Sequence, residues 1–317
     1  MTPLPVRKLG PSDLEVFPLA LGGNVFGWTA DEATSFAVLD AYTAAGGNFV
    51  DTADSYSAWA EGNHGGESET IIGRWLRARG NRADVIVATK VSQHPEYQGL
   101  TAATIKAAAD ASLRRLGTDH IDLYYTHFDK PEVPVEEIIS ALDGLVRAGK
   151  VRYIGASNIS AARLRESLAF SEREGFARYV ALQPRYNLVS RDTYEGELRD
   201  LAGAAGLAAV PYAALAAGFL TGKYRPGTTV DSARAAGAGK HLDTGRGRDV
   251  LAALDDIAAA HDVPVATVAL AWLAEQPTVA APIASARTVE QLPALLGVGE
   301  LRLTEAEVGR LTEASRP

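Results

Sequence analysis

Four residues with titratable side chains stand at or just beyond the ends of predicted strands: Asp51, Tyr56, Lys90 and His127. A lysine ammonium that is paired with an aspartate carboxylate stays charged, and against a tyrosine hydroxyl it would lower the tyrosine pKa from about 10. Such a tyrosine can act as a general acid near neutral pH. A neighbouring histidine can donate a hydrogen bond to a carbonyl oxygen, so the group could protonate an oxyanion while a hydride reaches its carbon. The alternative is a purely structural ion pair between Asp51 and Lys90.

The ends of the other predicted strands are also polar or glycine-rich. In chain order they carry Gly23 and Asn24, Ser157 and Asn158, Gln183, Tyr212, and Ser285 with Arg287. Barrel enzymes assemble their sites from the C-terminal ends of their strands, so we expect these residues on one rim. The alternative is that strand ends are polar only because loops begin there.

Eight apolar, β-like segments alternate with amphipathic helical ones and must position these residues. They are residues 18–21, 48–51, 85–90, 121–127, 151–156, 179–183, 207–212 and 279–284. Continuously apolar strands are expected of a parallel sheet covered on both faces. Eight strand–helix units in a chain of this length predict an α/β fold, a single (β/α)₈ TIM barrel over residues 1–317.

Three further features frame the barrel. Residues 6–17 predict an N-terminal β-hairpin that turns at residues 10–13, and residues 303–308 predict the start of a helix that closes the chain. The segment 218–247, which follows strand 7, is rich in Gly, Arg and Thr and is predicted to be an irregular lid loop. Capping boxes are predicted at Thr29–Glu32, Thr288–Gln291 and Thr304–Glu307.

Composition excludes several classes of protein. The chain has 317 residues, a net charge of −8 and no cysteine, which excludes disulfides, a thiolate nucleophile, Cys-ligated zinc and iron–sulfur clusters. It has no basic run for duplex nucleic acid, no apolar stretch of about 18 residues and no signal-like N-terminus. We therefore expect a cytoplasmic protein, monomeric by default, that binds neither nucleic acid nor membrane.

The sequence matches common nucleotide-binding and metal-binding motifs only in part. Residues 237–239 and 245–247 lack the third glycine of a Rossmann fingerprint, and residues 144–150 end a helix instead of beginning one as a P-loop would. His120 and Asp122 have a ligand-like spacing but no third ligand nearby. No metal site is predicted.

The segments that carry the four titratable residues closely resemble the catalytic segments of the aldo-keto reductases. They are DTADSY at residues 51–56, TK at 89–90 and DLYYTH at 122–127. Residues 155–158, 183–187, 218–224 and 286–292 are similar to later segments of that family, in the same order. The resemblance covers nearly the whole chain.

The resemblance implies a (β/α)₈ barrel that binds NADP(H) without a Rossmann domain and reduces aldehydes and ketones. It implies Tyr56 as proton donor, Lys90 and Asp51 as the pair that tunes it, and His127 as the group that orients the carbonyl. The implied cofactor contacts begin with Ser157, Asn158 and Gln183 on the nicotinamide carboxamide, Tyr212 stacked on the ring, and Arg287 and Gln291 near the 2′-phosphate. Gly23, Asn24, Leu215, Gly218, Lys223 and Ser285 complete the predicted cofactor set.

Five residues in three segments depart from the family pattern. Ala213 and Ala214 replace a Ser-Pro pair, Ser285 stands where Gly or Lys is common, and Ala294–Leu295 replaces a Glu-Asn pair. We therefore expect weaker cofactor binding, or a greater dependence on the lid.

Trp28, Trp59 and Phe128 follow strand ends and either line an apolar substrate pocket or only pack their loops. The physiological substrate is not predicted beyond a small carbonyl compound. The alternative function is an NADP(H)-binding regulatory or redox-sensing subunit of the same fold, because a fold alone does not determine function.

Overall fold

Eight parallel strands surround a central axis in a computed structural model that describes residues 6–228, 230 and 235–317. The barrel strands are β3 (Ala20–Gly22), β4 (Phe49–Asp51), β5 (Ile86–Val91), β8 (Ile121–Thr126), β9 (Val151–Ser157), β10 (Tyr179–Gln183), β11 (Ala208–Ala209) and β12 (Ile283–Ala284). Two antiparallel pairs lie outside that sheet: β1 (Arg7–Lys8) with β2 (Glu15–Val16), and β6 (Gln93–His94) with β7 (Tyr97–Gln98). The hydrogen-bonded order around the sheet is β12, β3, β4, β5, β8, β9, β10, β11.

The barrel closes between β11 and the segment before β12. The N–H of Ala209 donates to the carbonyl of Thr278 at 2.7 Å, and its own carbonyl accepts from Ala280 at 2.9 Å. These bonds form a parallel bridge between Ala209 and Val279. The predicted (β/α)₈ barrel is confirmed.

Helices cover the outside of the barrel. They are α1 (Glu32–Ala44), α2 (Glu67–Arg79), α3 (Ala102–Leu116), α4 (Val135–Arg147), α5 (Ala161–Glu174), α6 (Glu197–Ala204), α7 (Ala235–Gly239), α8 (Gly245–His261), α9 (Val265–Ala274), α10 (Leu292–Leu296) and α11 (Glu305–Ala314). Short 3₁₀ helices span Arg82–Asp84, Ala216–Thr221, Lys240–Asp243, Val289–Gln291 and Gly297–Gly299.

The predicted N-terminal hairpin is present and covers one end of the barrel. Leu9, Leu14 and Val16 pack with Phe49 and Leu123 in the apolar interior of the barrel. Gly10 permits this approach, because a Cβ there would lie 2.3 Å from the carbonyl oxygen of Val180 and its φ is +57°. The hairpin thus seals the N-terminal end of the barrel and leaves the opposite end for the site.

Strands 7 and 8 of the barrel are shorter than predicted. Only Ala208–Ala209 and Ile283–Ala284 are regular strand, although 207–212 and 279–284 were expected. Pro211 and Pro282 lie inside the predicted segments, and proline has no N–H to donate to a ladder.

Two of the three predicted helix caps are wrong. The N-cap of α1 is Asp31, whose carboxylate accepts from the N–H of Thr34 at 2.8 Å, so Thr29 is not the cap. Thr288 makes no side-chain cap; the Gln291 side chain accepts instead from the N–H of Arg287. The capping box between Thr304 and Glu307 is confirmed, and it begins the predicted C-terminal helix α11.

The segment predicted as an irregular lid is largely helical where the structure describes it. It contains α7, the end of the 3₁₀ helix Ala216–Thr221, the 3₁₀ helix Lys240–Asp243 and the first turn of α8. Residues 229 and 231–234 of that prediction lie outside the described residues. Whether the segment acts as a lid stays a prediction.

Within the described residues, no single helix has the length and apolar composition needed to cross a membrane. The pair α8 and α9 meets those two criteria when taken together, with a bend of 101° between the two helices.

Candidate active site

A buried lysine joins three groups at the C-terminal ends of β4 and β5. The Nζ of Lys90 donates to Asp51 Oδ2 at 2.7 Å, to the carbonyl oxygen of Thr52 at 2.6 Å and to Tyr56 Oη at 3.0 Å. Lys90 and Asp51 are 0% and 1% exposed. Parallel pairing of β4 with β5 places these strand ends side by side, and the turn after Asp51 returns Tyr56 to the same point. The structure therefore brings Asp51, Tyr56 and Lys90 together.

The charge of Lys90 is maintained by its partners. Burial by itself lowers the pKa of Lys90, but Asp51 and Tyr56 outweigh it, and the pKa ends above its ordinary value. For Tyr56 the predicted direction is wrong. Burial raises its pKa above 10 by more than the Lys90 charge lowers it. Tyr56 therefore carries its proton at neutral pH.

The direction of the bond between Lys90 and Tyr56 matters for the tyrosine proton. An ammonium group has three donors and no acceptor, so Lys90 donates and Tyr56 Oη accepts. The hydroxyl proton of Tyr56 consequently points away from Lys90.

His127 follows β8 and lies beside Tyr56, with ring centroids 6.1 Å apart. Its backbone is fixed on both sides, because its N–H donates to the carbonyl of Val91 and its carbonyl accepts from Asn158 Nδ2 at 2.8 Å. Burial, helped by the Lys90 charge, holds the pKa of His127 well below its usual 6.5. The imidazole is therefore neutral at neutral pH.

The residues predicted to contact a nicotinamide carboxamide are hydrogen-bonded to each other and to the candidate catalytic group, which consists of Asp51, Tyr56, Lys90 and His127. Gln183 Nε2 donates to Asp51 Oδ1 at 2.8 Å, and Ser157 Oγ donates to the carbonyl of Gln183. Asn158 Nδ2 donates to Ser157 Oγ at 3.0 Å, and Tyr212 Oη donates to Asn158 Oδ1 at 2.8 Å. One network thus runs from Tyr212 to Asp51, and Gln183 holds the carboxylate that Lys90 binds.

A cavity of about 560 Å³ opens beside Tyr56 and Asp51. Eight of the predicted cofactor residues line it: Asn24, Tyr212, Leu215, Gly218, Lys223, Ser285, Arg287 and Gln291. Gly23, Ser157, Asn158 and Gln183 are not in its lining, and neither are Lys90 and His127. The volume is within the usual range for small-molecule and cofactor sites.

A model of the aldo/keto reductase family matches residues 18–316. The chain belongs to this family. It is therefore an oxidoreductase. It is similar to the uncharacterized oxidoreductase YrpG of Bacillus subtilis, with 36% identity over 93% of this chain and 91% of that protein. It is also similar to protein Tas of Escherichia coli, with 33% identity over 94% of each chain. Norsolorinic acid reductase B of Aspergillus parasiticus is 31% identical over 97% of this chain and 83% of its own.

Aromatic rings surround the tyrosine of this aldo/keto reductase. Trp59 packs edge-on against Trp28 at 5.6 Å and against Tyr56 at 6.0 Å, while Phe128 lies 5.0 Å from the His127 ring. We call these five rings the aromatic rim. Trp28 lines the cavity, whereas Trp59 and Phe128 stand outside it, 52% and 41% exposed. The structure places all three predicted pocket aromatics beside the catalytic group.

Sequence reasoning missed several residues that line the cavity. Among them is Thr29, which was interpreted as a helix cap, and Pro264 and Ala266 at the start of α9, which carried no motif. Ala217 also lines it, and with Ala213 and Ala216 it has a positive φ, between 47° and 57°. Such angles are uncommon outside glycine, and no sequence signal marks alanine for them.

Proposed function

We propose that this aldo/keto reductase transfers a hydride from NADPH to the carbonyl carbon of an aldehyde or ketone, with Tyr56 as proton donor. The observation that supports the proposal is the set of three hydrogen bonds that Lys90 Nζ donates to Asp51, to the Thr52 carbonyl and to the Tyr56 hydroxyl, which occupy all its donors. NADPH, when bound, supplies the hydride.

In this proposal Tyr56 provides the proton. Its raised pKa keeps the hydroxyl protonated, and its proton points away from Lys90. As a carbonyl oxygen gains negative charge, Tyr56 gives it the proton and becomes a phenolate. The Lys90 ammonium, 3.0 Å away, then stabilises that phenolate, and solvent later returns the proton. Asp51 and Gln183 hold Lys90 in place.

His127 orients the carbonyl as a neutral donor. Its Nδ1 is buried without a hydrogen-bond partner in the described residues. A buried N–H without an acceptor is rarer than a buried lone pair without a donor, which favours a proton on Nε2. That N–H would hold the carbonyl oxygen near Tyr56 without competing to protonate it.

The cavity fits an elongated anionic cofactor. Lys223 and Arg287 supply cationic groups in its wall, and a guanidinium can pair with a 2′-phosphate, which favours NADPH over NADH. The strained segment 213–217 brings backbone with small side chains to the wall, as is common at ligand clamps. Ser285 Oγ donates to Asn24 Oδ1 at 2.6 Å, and Ala294 and Leu295 leave an apolar wall nearby. We expect weaker cofactor binding than in relatives with polar side chains there.

The aromatic rim provides the substrate site. Trp59 and Phe128 expose apolar rings next to Tyr56 and His127, and a neutral His127 adds no charge. Substrates with a flat apolar group beside the carbonyl therefore gain most from this surface. All the groups named above come from one chain, and we propose that the monomer is active.

Transfer of deuterium from labelled cofactor tests the hydride step. NADPH that carries deuterium at the transferable position of the nicotinamide is mixed with the protein and a panel of aldehydes and ketones, and the alcohol is analysed by mass spectrometry. We expect one deuterium on the carbinol carbon and slower turnover with NADH. A folded protein that binds NADPH but yields no labelled alcohol would favour the sensor function instead.

A further inference from the structure

A carboxyl group that the mechanism does not use lies inside the catalytic loop. Asp54 stands between Asp51 and Tyr56 and is 0% exposed, and neither of its carboxyl oxygens has a hydrogen-bond partner among the residues that the structure describes. Its backbone N–H donates to the carbonyl of Lys90 at 3.3 Å, so it lies directly behind the catalytic group. Buried carboxylates are normally paired or hydrogen-bonded, and this one needs an explanation.

A second buried carboxyl group faces it from α2. Glu69 is also 0% exposed, and its two oxygens accept from Thr89 Oγ1 at 2.5 Å and from Arg115 Nε at 2.6 Å. Arg115, from α3, thus neutralises Glu69. Two ionised carboxylates here would share a single guanidinium and leave a net negative charge in the protein interior.

The positive charges near Asp54 offset its burial only in part, since Arg115 and Lys90 lower the pKa of its carboxyl by less than burial and Glu69 raise it. Lys90 has three donors, and Asp51, Thr52 and Tyr56 occupy all of them. Tyr124 of β8 is buried, and its hydroxyl has no hydrogen-bond partner in the described part of the chain. His94 of β6 is kept neutral, because burial and Arg115 lower its pKa.

We propose that Asp54 is a positioning residue that keeps its proton at neutral pH and so leaves the Lys90 ammonium to act on Tyr56. The proposal rests on the proposed reductase function. Burial and the Glu69 charge both raise the pKa of Asp54, in agreement with the geometry. An ionised Asp54 would place a second carboxylate behind Lys90, weaken its stabilisation of the Tyr56 phenolate and so slow proton donation.

Infrared spectroscopy detects the proton directly. Wild type at pH 8 should show the carbonyl band of a protonated carboxylic acid, and Asp54→Asn should lose it. Asp119→Asn is the matched control, because the Asp119 side chain is 94% exposed and its carboxyl pKa is lowered through its bond to His120. That control should leave the band unchanged. Absence of the band in wild type would overturn the proposal whether or not Asp54→Asn folds.

The pH profile of carbonyl reduction provides the functional readout. Asp54→Asn keeps an uncharged group of the same shape, so kcat/KM near pH 7 should stay within about threefold of wild type. At alkaline pH wild type should lose activity as Asp54 ionises, and Asp54→Asn should retain about tenfold more, the change expected for one pKa unit at Tyr56. The same loss of kcat/KM at alkaline pH in wild type and in Asp54→Asn would refute the positioning role. If wild type reduces no carbonyl, the proposed function fails, and the infrared result still decides the state of Asp54.

Discussion

Replacing Lys90 by methionine should lower the free energy of unfolding as well as the activity. The substitution leaves the Asp51 carboxylate, 1% exposed, without the Lys90 charge, although Gln183 Nε2 still donates to it, and leaves the Thr52 carbonyl without its Lys90 bond. Removing one member of a buried ion pair typically costs about 3–5 kcal/mol. That is a large part of the roughly 5–15 kcal/mol by which a domain is stable. Activity should also fall about 10²–10⁴-fold, because the Tyr56 phenolate loses its counter-charge.

The assay is urea denaturation followed by circular dichroism, on Lys90→Met alone and combined with Asp51→Asn. In the double variant Gln183 can still donate to the asparagine oxygen and no buried charge remains, so most of the lost stability should return. Activity should not return with it. The electrostatic account of this site would be refuted if the free energy of unfolding of Lys90→Met lay within about 1 kcal/mol of wild type. It would also be refuted if the double variant were less stable than Lys90→Met alone.

Three further substitutions test other parts of the site and fold. Trp59→Ala should lower kcat/KM about three- to tenfold for aryl aldehydes, the value of one aromatic contact, and leave short aliphatic aldehydes unchanged; equal losses for both would contradict the rim assignment. Arg287→Ala should raise the KM for NADPH about ten- to hundredfold and leave the KM for NADH unchanged in steady-state kinetics. An equal rise in the KM for NADH would exclude a contact between Arg287 and the 2′-phosphate. Gly155→Ala should destabilise the protein by about 1–3 kcal/mol, because the new Cβ would lie 2.5 Å from a tyrosine ring in β8. Gly144→Ala, which has open space around it in α4, should stabilise the protein by about 0.5–1 kcal/mol. Denaturation midpoints that do not separate in this way would contradict the packing argument.

The grouping of the proposed catalytic residues was predictable from sequence because parallel strands end at a common edge. Asp51, Lys90 and His127 each close a strand or follow it, and their neighbourhood follows from the barrel order. Their electrostatics did not follow from residue types. Whether burial or Lys90 dominates the pKa of Tyr56 depends on how much water the fold excludes, and residue spacing does not encode that.

Local competition between residues explains the remaining differences. Thr29 and Asp31 are both good caps, and the structure uses Asp31 because α1 starts at Glu32. The predicted cofactor contact of Gln183 stays a prediction; no sequence signal indicates that its side chain also binds Asp51, a partnership between residues 132 positions apart. Such contacts depend on tertiary structure that a motif does not show.

The most direct test of the central claim is the rate of NADPH oxidation with an activated aromatic aldehyde, in wild type and in Tyr56→Phe. The phenylalanine keeps the ring and removes the hydroxyl group, and with it the proton that Tyr56 is proposed to donate. We predict turnover by wild type, a loss of at least about 10²-fold in kcat for the variant, and unchanged NADPH binding by fluorescence titration. A Tyr56→Phe protein that reduces the aldehyde at the wild-type rate would contradict the account.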